Sequence, residues 1–92
     1  MNKKQLGQEL IAQLNLGFDI VKISRWAHKI NFENIKNIDS SMHVILQTLF
    51  SMEDDLQFEY TENELRMIAN NLINNDENPF RKIAEKKSKE VN

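Results

Sequence analysis

Six carboxylates fall in the stretch "SMEDDLQFEYTENE", Ser51 to Glu64, with Phe58 and Tyr60 among them and no Lys or Arg. Three roles suit such residues. Glu53, Asp54 and Asp55 are consecutive oxygen donors that could hold a cation. The acids could instead be a solvated connection between helices, or a surface that meets a positively charged protein. The calcium-loop pattern D-x-[DN]-x-[DN]-G is absent, and no glycine is present for its sharp turn. A solvated connection stays open. Two features favour the partner surface. Residues 47–92 hold ten acids against six bases, whereas residues 1–46 hold four against six, so the negative charge is localised. Leu56, Phe58 and Tyr60 also alternate with Gln57 and Glu59, which gives an extended segment one apolar edge. On this reading Glu53, Asp54, Asp55, Glu59 and Glu62 steer and pair with a basic partner, while Phe58 and Tyr60 supply buried anchoring area. Nucleases are basic partners of this kind, because their sites attract phosphate.

Other chemistry is poorly supported. His28 and His43 are the only histidines, and neither has a second histidine at i±3 or i±4, so a zinc site would have to draw on distant carboxylates. With no cysteine there is no thiol nucleophile, thiolate metal site or disulfide framework. No Ser-His-Asp arrangement is legible. Gly7 and Gly17 are the only glycines, too few for a phosphate-binding loop. The expectation is a non-enzymatic chain without cofactor or metal. "SRWAHK", Ser24 to Lys29, sets Trp26 between Arg25 and Lys29, but a tryptophan beside an isoleucine stripe reads as packing rather than as a nucleic-acid surface. The second basic group, Arg81, Lys82, Lys86, Lys87 and Lys89, is broken by Glu85 and Glu90. A sequence pI near 5.6 also argues against nucleic acid as a ligand.

The elements that must carry these residues are helical. Leu6, Leu10, Ile11 and Leu14 predict a first amphipathic helix from about Lys3 to Asn15, stopped by Gly17. Asp19 caps a second, with a stripe of Ile20, Ile23, Ala27 and Ile30 widened by Val21 and Trp26; the Asn-rich piece from Asn31 to Asn37 ends it. Asp39, Ser40 and Ser41 offer caps for a third, with Met42, Ile45, Leu46, Leu49 and Phe50 inward. Thr61 and Glu64 form a T-x-x-E capping box ahead of Leu65, Ile68, Ala69, Leu72 and Ile73. Asn78-Pro79 then begins a short helix with Phe80, Ile83 and Ala84 on one side, and residues 86–92 fray. The expected fold is all-α: one domain over residues 1–92, a bundle of four main helices plus a short C-terminal one.

Composition agrees. A 40% hydrophobic and 28% charged chain is globular in character, and two glycines with one proline are too few for the turns of a β-sandwich. No apolar run reaches membrane-spanning length, and Gln5, Gln8, Glu9 and Gln13 stand where a signal peptide needs apolar residues. The expectation is a cytoplasmic, unprocessed chain with no membrane partner.

"FDIVKISRWAHKI" (Phe18 to Ile30) followed by "LQTLFSMEDDLQFEYTENELRMIANNLI" (Leu46 to Ile73) resembles the small all-helical immunity proteins of bacterial toxin–immunity pairs, including contact-dependent growth inhibition systems. The shared pattern is I-S-R-W-A, then L-x-x-L-x-x-M-E, then an acidic aromatic stretch before a capped helix. The resemblance implies a protein that binds a cognate toxin domain, commonly a nuclease, and blocks it in the cytoplasm. It transfers no contact residue. Two rivals remain: a helical DNA-binding regulator that uses the helix after Thr61, and an adaptor subunit without a toxin partner. Against the regulator, that helix offers Arg66 as its only base.

Overall fold

The computed structural model describes residues 1–54, 59–81 and 83. Among them the fold is all-helical, with four α-helices: α1 Lys3–Leu16, α2 Ile20–Glu33, α3 Ser40–Phe50 and α4 Glu62–Ile73. A 3₁₀ turn, Ser51–Glu53, continues α3.

Each helix starts on a side chain that satisfies backbone N–H groups otherwise left without a partner. Asn2 Oδ1 accepts from Gln5 N at 2.8 Å while Gln5 Oε1 accepts from Asn2 N at 3.0 Å, a reciprocal box built from amides. Asp19 Oδ1 accepts from Val21 N and Lys22 N at 3.0 and 3.2 Å. Of the three candidate caps of α3, Asp39 serves, accepting from Met42 N at 2.8 Å. The Thr61–Glu64 box closes as expected, with Glu64 N to Thr61 Oγ1 at 3.1 Å and Thr61 N to Glu64 Oε1 at 2.9 Å.

The exits are equally local. α1 stops at Gly17, whose φ of 135° suits glycine. α4 ends in a Schellman arrangement: Asp76 N donates to Asn71 O, Asn75 N donates to Leu72 O, and Asn75 takes the left-handed φ of 59°. Asn71 Nδ2 then donates to Pro79 O at 3.0 Å, which ties the following segment back to the helix.

The helices pair as two antiparallel couples. α1 lies along α4: Lys3 Nζ reaches Asp76 O at 3.5 Å, Gly7 packs on Ala69 and Ile73, and Arg66 Nη2 reaches Asn15 Oδ1 at 3.1 Å. α2 lies along α3, with Ser24 Oγ donating to Leu49 O at 3.3 Å and His43 Nδ1 2.8 Å from Asn31 Oδ1. Between the couples runs one core that includes Leu6, Leu10, Ile23, Leu46, Leu49, Leu65, Ile68 and Leu72. Fully burying each such side chain contributes about 1.5–3 kcal/mol.

Trp26 is partly buried and packs against the core, in keeping with the packing role expected of it. Several expectations need adjustment. Val21 and Phe50 are less internal than their stripes suggest: Val21 is exposed and Phe50 half-buried. Two polar residues join the inner face of α2 instead, Ser24 and Asn31, each with the hydrogen bond just given. The expected C-terminal helix falls mostly outside the described residues; Arg81 and Ile83 have helical backbone, and Ile83 is buried.

Candidate functional site

The five described carboxylates of the run occupy distinct settings. Glu53 closes the 3₁₀ turn and Asp54 follows it, both exposed. The turn is held firmly. Met52 is 2% exposed, Ser51 Oγ donates to Gln47 O at 2.7 Å, and Asp54 N donates to Ser51 O at 3.1 Å. Both acids therefore stand at the C-terminal end of α3, where the partial negative charge of the helix disfavours further anions.

The acids near α4 have local structural work. Glu64 completes the capping box. Glu62 meets Arg66 at 3.3 Å one turn away, and both acids suit the positive end of that helix. Glu59 is exposed. Asp55 and Phe58, with Leu56 and Gln57, lie outside the described residues.

Tyr60 departs from its expected role as an anchor offered to a partner. It is 7% exposed and belongs to the core, its ring 5.8 Å from that of Phe80 between centroids. Burial, and secondarily the negative charge of Glu64, push its phenol above the ordinary value of 10.0, so the ring stays neutral at physiological pH. Alternation along residues 56–60 distinguishes two edges but not which of them faces inward.

Glu53 and Asp54 border a groove of about 380 Å³ whose other lining residues are Ser24, Arg25, His28 and Phe50. His28 and Phe50 meet edge to face, centroids 5.1 Å apart and planes at 76°. Arg25 Nη2 approaches Glu53 Oε1 at 3.5 Å, with their side chains 75% and 33% exposed. An ion pair so open to water contributes about 0–1 kcal/mol. Sequence reasoning missed Ser24, Arg25, His28 and Phe50 as members of one site. Their spacing on α2 and α3 held a hint, but only the antiparallel packing of the two helices brings them together.

The histidines and most bases near the groove have neighbours of their own. His28 sits on Phe50 and His43 on Asn31. Among the described residues there is no group of three or more His, Cys, Asp or Glu that could hold a metal ion, and no helix is long and apolar enough to cross a membrane. The bases around Trp26 are engaged with acids, Arg25 with Glu53 and Lys29 with Glu33 at 3.9 Å. Arg66, the one base of α4, is drawn toward Glu62 and Asn15. No protein-family model matches the chain, and neither a curated protein nor a solved structure shows significant similarity to it.

Proposed function

We propose that this chain is an immunity-type inhibitor, which binds a basic toxin domain stoichiometrically and blocks it in the cytoplasm. A nuclease domain is the partner whose charge fits best, because a site built to attract phosphate also attracts carboxylates. The chain does no chemistry of its own in this role.

One observation carries the reading: Glu53 and Asp54 are fixed on a hydrogen-bonded turn at the C-terminal end of α3. Acids there face the partial negative charge of the helix end, which disfavours further anions, although Glu53 has Arg25 nearby. A positively charged partner offsets that repulsion on binding. Glu59 extends the surface and Glu62 borders it; Asp55 and Phe58 belong to it by their place in the sequence. Tyr60 supports the surface from behind rather than touching the partner. A DNA-binding role for α4 is less well supported, since Arg66 already has two polar partners.

The test is co-expression with the product of the neighbouring gene, which on this reading encodes a large toxin immediately upstream, followed by copurification. A complex that salt weakens and Asp54→Lys disrupts is expected. Failure to copurify, or a complex indifferent to both, would turn the reading toward an adaptor subunit.

A further inference from the structure

We infer that the outer face of α3 pairs with the same face of a second copy of this chain, as a weak dimer about a twofold axis. The inference concerns a different surface from the acidic one and does not depend on the inhibitor reading.

Ser40, Val44, Gln47 and Ser51 recur at i, i+4, i+7 and i+11, on the side of the helix away from the buried residues of α3. From Ser40 to Met52 there is no Asp, Glu, Lys or Arg, in a chain that is 28% charged. The exposed positions of α1 and α2, by contrast, include Lys4, Glu9, Lys22 and Lys29. Val44 lies near the middle of the charge-free face and is 57% exposed. Asn31 and His43 touch across the α2–α3 hairpin, so Phe32 and Val44, the next residue of each helix, lie at the same end of it. Phe32 is 74% exposed, and Ile35 in the connection is 57% exposed. Single exposed apolar residues are ordinary, but three at one end of a hairpin, beside a helix face without charge, match the core of an interface.

The face can also lose its water at little cost. Thr48 Oγ1 donates to Val44 O at 2.9 Å and Ser51 Oγ donates to Gln47 O at 2.7 Å, each hydroxyl turned back onto its own helix. Covering them strands no donor, and an unpaired donor is the main penalty for burying a hydroxyl.

A second copy is the occupant that this face fits. A twofold interface sets one patch against itself, so a charged patch meets like charge near the axis and a charge-free one does not. A basic partner drawn by carboxylates finds none here. With the axis near Val44, Gln47 of one copy opposes Ser40 and Ser41 of the other, so the remaining polar groups can pair reciprocally. An eleven-residue helix is about 16 Å long. A face of that length, with Phe32 beside it, falls short of the ~800 Å² per partner of a standard interface. The dimer is therefore weak and reversible, with a Kd of about 0.1–1 mM.

Sedimentation equilibrium of the full chain across that concentration range is the test. The average mass is expected to rise from the 10.9 kDa of the monomer toward twice that value, equally at low and high salt. Val44→Lys and Val44→Glu should each weaken association at least tenfold, because the twofold sets the new charge against itself. An equimolar mixture of the two variants should associate again as a heterodimer. Circular dichroism should show parent helix content in both, since Val44 is exposed. Gln47→Lys, also at an exposed position, repeats the test should a Val44 variant fail to fold. The proposal is overturned if the parent stays at monomer mass up to 1 mM, if salt disperses the dimer, if the single variants associate like the parent, or if the mixture does not. A monomeric parent whose toxin complex is lost on Val44→Lys would assign the face to the toxin and overturn it equally.

Discussion

Gly7 of α1 faces the backbone of Ala69 in α4 so closely that a Cβ added at Gly7 would lie 2.5 Å from the Ala69 carbonyl oxygen. The same atom would stand 2.9 Å from Ile73 Cγ1 and 3.1 Å from Ile73 N. Glycine is a poor residue for a helix interior, so its presence here reflects the approach of two helix backbones. Gly7→Ala should gain up to about 1 kcal/mol of helix propensity and lose about 1–3 kcal/mol to overpacking, because a helix backbone cannot swing aside as a side chain can. Net destabilisation in urea unfolding is the expected result. A more stable variant would show that α1 and α4 can separate at no cost.

Tyr60 supplies a pH test of its burial. Its folded pKa lies above the unfolded value of 10.0, so its contribution is fully present below about pH 10 and is lost as pH rises through the higher folded value. The difference in unfolding free energy between the parent and Tyr60→Phe should be flat from pH 7 to 9 and then move in favour of the phenylalanine variant. A difference that stays constant to pH 12 would place the phenol in water. Tyr60→Ala should cost about 3–5 kcal/mol of stability, the range for a large aromatic removed from a core.

Asn75 gives a prediction of opposite sign. It holds a left-handed φ of 59° at the end of α4, a conformation that asparagine tolerates and glycine adopts freely. Asn75→Gly should raise the denaturation midpoint, by up to about 1 kcal/mol of stability. At the other end of the helix, Thr61→Ala should cost about 1 kcal/mol by removing the cap. The two effects should add in the double variant, since the sites share no partner.

Asp54→Lys tests the surface through rates. Charge complementarity accelerates encounter, so the reversal should slow association with the toxin domain more than it speeds dissociation, and the effect should shrink with added salt. Helix content should be unchanged, because Asp54 is exposed and lies between helices. Surface-binding kinetics at low and high salt would reveal it. Salt-insensitive association by parent and variant alike would move the interface to another face, where Phe32 and Val44 are 74% and 57% exposed.

The helices were legible because their signals are short-range. Asp19, Asp39 and the Thr61–Glu64 pair each cap a backbone only two or three residues away. The Asn2–Gln5 box was missed because its amide pair differs from the usual S/T-x-x-E form. Reading burial from a stripe failed at Val21, where helical phase marks a face but not how far the neighbouring helix covers it. Ser24 and Asn31 look like surface residues in a one-dimensional pattern; their partners, Leu49 and His43, come from α3. The candidate site divides in the same way. Its carboxylates are visible as a run, whereas the rings and the arginine that make it a groove depend on tertiary packing.

The pairing of α1 with α4 also sets an order of assembly. α2 and α3 are neighbours in the chain and can form their hairpin as soon as both exist, whereas α1 has its main partner at the far side of both. On a ribosome adding about 5–20 residues per second, α1 therefore waits several seconds with Leu6, Leu10 and Leu14 uncovered until residues 62–73 have been made. During that interval the nascent chain is at its most adhesive. A chaperone that grips exposed leucines would find its target at the first helix, and the arrival of α4 would release it.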